Sequence, residues 1–455
     1  MAKDTKAGIR DSFGSKFGFI AATAGSAVGL GNIWRFPYIT GENGGGAFLL
    51  IYLLFVVVIG LPVMISELAI GRSTQRNPFG AFRVLKPRSK WFLVGIMGIA
   101  AAFMINAFYS VVAGWTLEYL VKSIANQFQG KTPAEISALF DGFQQNNWRP
   151  LFWTVLFIVI SAGVVLSGVE KGIEKYTKIL MPLLLIIILV LCIRSLTLPG
   201  SFEGVRFLFH PDFSKIGPSA ILIALGQAFF SLSIGMGTLI TYGSYMKRSD
   251  NLGSSAASVV FSDTLIAVLA GIAIFPAVFS FGISPDSGPN LVFLTLPNIF
   301  AQMGGGYFFS LLFFFLLAIA ALTSTISILE VVVAYFSEEL KMSRKKATLL
   351  ASAGIAVLGI LCSLSLYKMP QISIGKNSLF SLLEYTSSTI LLPLGGFFIV
   401  LFVAWLFGGT KLKAELSSEG KYRVRYLGVY RFIIRFLAPL AIAAVFLNGL
   451  GILKF

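Results

Sequence analysis

Two glycine-rich stretches of the sequence are suited to expose backbone atoms to a ligand. The first extends from Gly25 to Pro37 and reads GSAVGLGNIWRFP; the second extends from Gly226 to Gly237 and reads GQAFFSLSIGMG. Glycine weakens a helix, and backbone groups freed inside a membrane are tolerated only where they line a cavity or bind something. Free carbonyl oxygens suit a small cation, and free N–H groups at the start of a half-helix suit a carboxylate. The structural alternative is close packing of helices through small residues.

Polar side chains inside other apolar stretches add candidate ligands. The run Thr323–Thr325 is a hydroxyl cluster within an apolar helix, although such hydroxyls also bond to their own helix. Arg35, Glu67, Asp263 and Glu384 are charged residues in apolar surroundings. Each charge costs about 2.5–3.5 kcal/mol at the centre of a membrane on insertion scales. We therefore expect these four residues to be functional, with simple pairing to hydrogen-bond donors, or snorkelling of Arg35 to the interface, as the alternative.

The sequence offers few groups for enzyme chemistry. His210 is the one histidine and lies in a loop-like stretch, while Cys192 and Cys362 stand alone in apolar runs. A nucleophile–base pair or a set of metal ligands would be needed. Serine–lysine chemistry stays open in principle, but no lysine lies in the middle of an apolar segment. We expect that the protein is not an enzyme, and an intramembrane enzyme remains the alternative. No ATP-binding G-x-x-x-x-G-K-[ST] loop occurs.

Long apolar segments must position these residues. The 455 residues are 56% hydrophobic and only 12% charged, whereas soluble domains carry about 25% charge. A membrane helix needs about 20 apolar residues, and the chain has about eleven such segments. We predict an all-α membrane protein with the segments 16–39, 46–71, 91–123, 150–168, 173–194, 218–246, 254–281, 308–338, 347–367, 378–407 and 429–451.

The distribution of positive charge predicts the orientation in a cell membrane. Most of the 36 Lys and Arg residues lie in the N-terminus and in the connections that follow the even-numbered segments. Because basic connections stay inside, we expect a cytoplasmic N-terminus and an extracellular C-terminus. The net charge of +16 then faces the anionic lipid bilayer, so no nucleic-acid partner is needed.

The opening motif carries a family resemblance. Together with the following residues 42–48, ENGGGAF, it resembles the signature of the neurotransmitter:sodium symporter family, most of all its eleven-helix bacterial amino-acid branch. The resemblance covers essentially the whole chain. It implies a 5+5 inverted repeat in which helices 1 and 6 are discontinuous. The expected parts are a cytoplasmic segment 1–15, a first repeat 16–195, a second repeat 218–408 and an additional helix 429–451.

The resemblance also implies sodium-coupled symport of hydrophobic L-amino acids, aliphatic and aromatic, by alternating access. Two Na⁺ ions are expected. The first sodium site would use Ala27, Asn32, Ser231 and Ser262. The second would use Gly25, Val28, Ala320, Thr323 and Ser324. The amino acid would contact Ala27, Gly29, Gly31, Ile105, Tyr109, Phe230, Ser231, Ser233, Met236, Ser324 and Ile328. A cation channel is the alternative transport function, although channels favour rings of repeated subunits or charge-lined pores.

Charged residues match the two gates of the family. Arg35 and Glu384 would form the outer gate above the substrate. Arg10 and Glu338 would form the inner gate, braced by Tyr245. Arg10 could equally be a positive-inside anchor.

Two acidic residues inside apolar segments bear on whether transport requires chloride. Asp263, with Glu67 as a second candidate, would supply the negative charge that chloride supplies in chloride-dependent relatives, so we expect no chloride requirement.

Gly172 and Pro182 match the spacing with which related transporters unwind the inner end of the fifth helix. The alternative for this helix is an ordinary proline kink. Preferred substrate and oligomeric state do not follow from the sequence.

Overall fold

The computed structural model describes residues 11–285, 291–367, 373–374 and 377–453. Nine continuous helices in these ranges are long and apolar enough to cross a membrane. They are Gly46–Thr74, Phe92–Ile124, Arg149–Leu166, Val169–Leu196, Leu252–Ser280, Gly306–Glu338, Arg344–Leu366, Leu379–Trp405 and Leu427–Gly449. Helices satisfy their own backbone groups, which lipid cannot do. The predicted all-helical membrane fold is therefore confirmed.

Two of the predicted segments are broken. The first broken helix consists of Lys16–Ala27 and Gly31–Glu42, which meet at an angle of 49°. The second consists of Pro218–Ser231 and Thr238–Gly243, separated by residues 232–237. Both interruptions fall within the glycine-rich stretches. Glycine favours a break in a helix because it readily adopts non-helical backbone angles.

Short elements connect the long helices. They are the helices Pro78–Leu85, Pro133–Gln144, Ser201–Phe209, Thr295–Gln302 and Gly409–Leu416, the 3₁₀ turn Phe213–Lys215, and the antiparallel strands Ser373–Ile374 and Asn377–Ser378. Helix Pro133–Gln144 begins with a capping box, in which Thr132 and Glu135 satisfy each other's backbone N–H groups.

Helices Phe92–Ile124 and Gly306–Glu338 form the centre of the fold, since they are the most buried of the nine. Close packing around them depends on small residues. At Gly114, an added Cβ would lie 2.8 Å from the backbone nitrogen of Thr154, so only glycine lets helix Arg149–Leu166 approach this closely. The first broken helix packs against Gly306–Glu338, which brings its interruption beside Thr323 and Ser324.

Candidate ion and substrate site

The interruption of the first broken helix is anchored by one asparagine and one tyrosine. The Gly29 N–H donates to Asn32 Oδ1 at 3.2 Å. The Leu30 N–H donates to the Tyr109 hydroxyl at 2.7 Å. Tyr109 belongs to the central helix Phe92–Ile124, so the backbone of the interruption faces a phenol held by that helix. This pair of polar groups is the kind that can bind a carboxylate.

The second interruption requires left-handed backbone at three positions. Ser233, Gly235 and Gly237 have φ values of 55°, 85° and 77°, which glycine adopts without strain and serine does not. The Ser233 hydroxyl donates to the Ser26 carbonyl at 3.1 Å and so joins the two interruptions. The Gly235 N–H donates to Glu67 Oε1 at 2.8 Å. Glu67 therefore holds the second interruption in place.

A buried carboxylate lies between the two broken helices. Asp263 Oδ1 accepts a hydrogen bond from Asn32 Nδ2 at 2.8 Å, and Asp263 Oδ2 accepts one from the Ser231 hydroxyl at 2.8 Å. The predicted first sodium site thus gathers Asn32 and Ser231 with Asp263. The Ser262 hydroxyl, also predicted for this site, donates to the Ser258 carbonyl of its own helix at 2.9 Å.

The residues predicted for the second sodium site lie together. The Ser324 hydroxyl is 3.4 Å from the carbonyl oxygen of Gly25 and 3.3 Å from that of Val28. The Thr323 hydroxyl is 3.1 Å from the Ala320 carbonyl oxygen. All of these ligands would be neutral oxygens from one helix and one interruption. The carbonyl of Ser26, 3.3 Å from the Ser324 hydroxyl, joins this group although the sequence did not indicate it.

The remaining predicted substrate contacts surround the same interruptions. The side chains of Ile105, Met236 and Ile328 are buried. At Gly29 an added Cβ would lie 2.3 Å from the Ser324 hydroxyl oxygen and 2.6 Å from the Tyr109 oxygen. At Gly31, whose carbonyl accepts from Gln227 Nε2 at 2.9 Å, an added Cβ would lie 3.2 Å from the Phe230 ring. Ala27 ends the first half-helix. Glycine is thus needed at position 29, whereas a Cβ at position 31 would press on the Phe230 ring.

Arg35, one of the two residues predicted for the outer gate, contacts an aromatic ring. Within the described ranges, no ion pair joins Arg35 to Glu384. The Arg35 guanidinium instead lies over the ring of Phe230, with its central carbon 4.4 Å from the ring centroid. A cation–π contact of this kind holds the arginine against Phe230, one of the predicted substrate contacts.

The predicted inner gate is described only in part, because Arg10 lies outside the described residues. Glu338 accepts hydrogen bonds from the backbone and side-chain nitrogens of Asn77 at 3.0 and 2.9 Å. Tyr245 donates to Glu330 Oε1 at 2.7 Å. Glu330 also accepts from Arg344 at 2.6 Å, in an ion pair that the sequence analysis missed. A buried acid inside an apolar helix was the signal that could have indicated Glu330.

The predicted unwinding segment includes an irregular turn. Residues Val169–Glu174 form a π-helical turn, and Pro182 lies inside the helix that follows. Gly172 is tightly packed, because an added Cβ would lie 2.3 Å from the Val164 carbonyl oxygen. Glu174 accepts hydrogen bonds from the Gly14 N–H at 2.6 Å and from the Ser15 hydroxyl at 2.9 Å. The N-terminal segment is therefore tied to this turn.

The sequence is similar to known sodium-dependent transporters along its length. The profile described as "Sodium:neurotransmitter symporter family" matches residues 10–135 and 133–454. The sodium-dependent transporter YhdH of Bacillus subtilis is 41% identical over 441 residues, which cover 97% of this chain and 98% of the relative. A sodium-dependent transporter of Haemophilus influenzae is 39% identical over 454 residues, covering 97% and 98% of the two chains. The crystal structure of MhsT in complex with L-phenylalanine matches with a TM-score of 0.89 and 46% identity, covering 97% of this chain and 100% of MhsT.

Proposed function

The chain belongs to the sodium:neurotransmitter symporter family, and from this premise we propose that it carries hydrophobic L-amino acids, both aliphatic and aromatic, by alternating access. It is a multi-pass, sodium-dependent membrane transporter and not an enzyme. The observation that carries the proposal is the 2.7 Å contact between the Leu30 N–H and the Tyr109 hydroxyl. An amino-acid carboxylate would replace this direct contact and accept hydrogen bonds from both the Leu30 N–H and the Tyr109 hydroxyl. The L-phenylalanine bound to MhsT supports this class of substrate.

Sodium and substrate would stabilise each other through charge. The first Na⁺ would bind among the Ala27 carbonyl, Asn32, Ser231 and Asp263, next to the substrate carboxylate. Because each partner favours the binding of the other, the coupling is reciprocal. The second Na⁺ would bind among Gly25, Val28, Ala320, Thr323 and Ser324 and would hold the transporter open to the outside. Support for two sites comes from the two separate groups of converging oxygens.

The side-chain pocket would accept several apolar shapes. Met236 is buried beside the second interruption, and methionine adapts to irregular volumes. Competition against radiolabelled leucine tests this proposal. Phenylalanine, tryptophan and isoleucine are expected to compete, and lysine is not. Competition by leucine alone would contradict the broad specificity.

Transport would not require chloride, because Asp263 places a fixed negative charge beside the proposed first sodium site. Uptake into proteoliposomes with chloride replaced by gluconate is expected to be unchanged. Strict dependence on chloride would show that Asp263 does not supply the charge. With Na⁺ replaced by K⁺, uptake is expected to stop.

The cycle would move one group of helices against another. Segments 1, 2, 6 and 7 would rock against segments 3, 4, 8 and 9, and the repeats would comprise residues 16–195 and 218–408. The N-terminus would be cytoplasmic and the C-terminus extracellular. Cysteine labelling of Ser284→Cys and Ser89→Cys in intact cells tests the orientation, since an impermeable reagent is expected to modify only the first.

A further inference from the structure

A cavity of about 190 Å³ lies where the last two long helices meet a short connecting helix. Its walls come from the end of Leu379–Trp405, the beginning of Gly409–Leu416 and the first turns of Leu427–Gly449. Leu412 and Ile434 form part of the apolar lining, while Arg431 and Arg435 contribute two guanidinium groups. The cavity is far from the interrupted helices in sequence and shares no residue with the site described above.

The two arginines place two positive charges at the cavity. Arg431 Nη2 donates to the Gly409 carbonyl at 3.0 Å. The central guanidinium carbon of Arg435 lies 4.7 Å from the centroid of the Trp405 ring. In the part of the chain that the structure describes, neither arginine takes part in an ion pair. They are four residues apart on one helix, where like charges repel, so an anion bound between them would be favoured.

The surroundings indicate that the cavity lies at the edge of a lipid layer. The helix begins at Leu427, so Arg431 and Arg435 are about 6 and 12 Å along its axis. The side chains of Phe432, Phe436 and Leu440 on the same helix are exposed. Trp405, which is also exposed, is of the type that anchors proteins at membrane interfaces.

We propose that this cavity binds the headgroup of an anionic phospholipid. Guanidinium groups bind phosphate oxygens through paired hydrogen bonds, and basic pockets between membrane helices bind anionic headgroups. The acyl chains would lie along the apolar surface that begins at Phe432. A free phosphate ion would use the arginines but would leave this surface unused. The bound lipid would link the final helix to the helix before it.

Native mass spectrometry of the full-length transporter tests the proposal. Dioleoyl phosphatidylglycerol is titrated against dioleoyl phosphatidylcholine, which has the same chains and no net charge. The wild type is expected to retain phosphatidylglycerol preferentially. The double variant R431Q/R435Q is expected to bind it about 30-fold more weakly, because each basic residue near an anionic lipid contributes about 1 kcal/mol. The control R423Q/R425Q removes the same charge from exposed positions outside the cavity and is expected to bind like the wild type.

Three outcomes would overturn the proposal. They are equal binding of phosphatidylcholine, equal weakening in both double variants, and displacement of the lipid by inorganic phosphate at a matching concentration. The last of these would identify a site for the free ion. If R431Q/R435Q is not stably folded, R435Q alone keeps the test decisive, because it leaves the contact between Arg431 and Gly409 in place. An affinity loss of about fivefold is then expected.

Discussion

Asp263 Oδ1 accepts a hydrogen bond from the Asn32 side-chain amide at 2.8 Å and thereby joins helix Leu252–Ser280 to the first broken helix. Its second oxygen accepts from Ser231, at the end of the first half of the second broken helix. One fully buried carboxylate therefore contacts residues that flank both interruptions. A buried charge is costly unless it is paired, and a sodium ion bound beside Asn32 would supply the missing positive charge.

Replacing Asp263 by asparagine is expected to weaken sodium binding. D263N keeps the size of the side chain but removes the charge that would attract the ion. Hydrogen bonds to charged groups are worth about 1.5–3 kcal/mol, and a loss of that size would raise the sodium concentration for half-maximal leucine binding about 10- to 150-fold. Scintillation proximity binding of labelled leucine over a sodium titration measures this change.

Ser262→Ala is the matched control for this experiment. Its hydroxyl bonds to the carbonyl of Ser258 in its own helix, so its loss should leave the sodium titration unchanged. If S262A shifts the titration and D263N does not, the assignment of Asp263 to the first sodium site is wrong.

Adding a methyl group at Gly29 is expected to abolish substrate binding. The new Cβ would come within 2.3 Å of the Ser324 hydroxyl oxygen and 2.6 Å of the Tyr109 oxygen, in the space proposed for the carboxylate. Gly163→Ala is the control, because no atom lies within 4 Å of a Cβ there. Leucine binding should be undetectable in G29A and normal in G163A. Normal binding by G29A would mean that the carboxylate lies elsewhere.

Removing the charge of Glu118 is expected to destabilise the fold. This fully buried carboxylate is 2.9 Å from Arg149 Nη2 and 3.5 Å from Lys122 Nζ, and it accepts from Trp153 Nε1 at 2.6 Å. In E118Q the two cations lose their partner. Breaking a buried pair costs about 3–5 kcal/mol, so the melting temperature in detergent should fall clearly.

Glu135 provides the comparison for Glu118. It faces Lys131 at 3.7 Å, but both side chains are substantially exposed, and exposed pairs contribute little to stability. E135Q is therefore expected to melt like the wild type. Equal melting temperatures for E118Q and E135Q would contradict the structural role of the buried pair.

The two helix interruptions could be predicted from the sequence because the glycines that cause them lie within the interrupted stretches themselves. Gly235 and Gly237 supply two of the three left-handed backbone positions within residues 232–237. How Ser262 and Asp263 face the first sodium site depends on the rotation of helix Leu252–Ser280 about its axis, which an apolar sequence defines poorly. The pair between Glu330 and Arg344 depends on a turn between two long helices. No pattern within either helix indicates that these two residues meet.

Replacing Pro182 by alanine is expected to slow the release of sodium to the inside. Proline has no N–H to donate to the carbonyl four residues earlier, here that of Lys178, and so weakens the helix at this point. Alanine would restore the bond and stiffen a segment that begins with the π-helical turn Val169–Glu174. Equilibrium binding of leucine and sodium should be normal, while the inward release of sodium in proteoliposomes should be slower.

Pro276→Ala is the control, since Pro276 also lies inside a long helix but not in the segment proposed to unwind. If restoring a helix bond slows release only at position 182, local opening of this helix is the step that matters. If P182A and P276A slow release equally, general helix stiffness explains the effect. Unchanged release in P182A would leave Pro182 as an ordinary kink and would contradict the predicted unwinding of this helix.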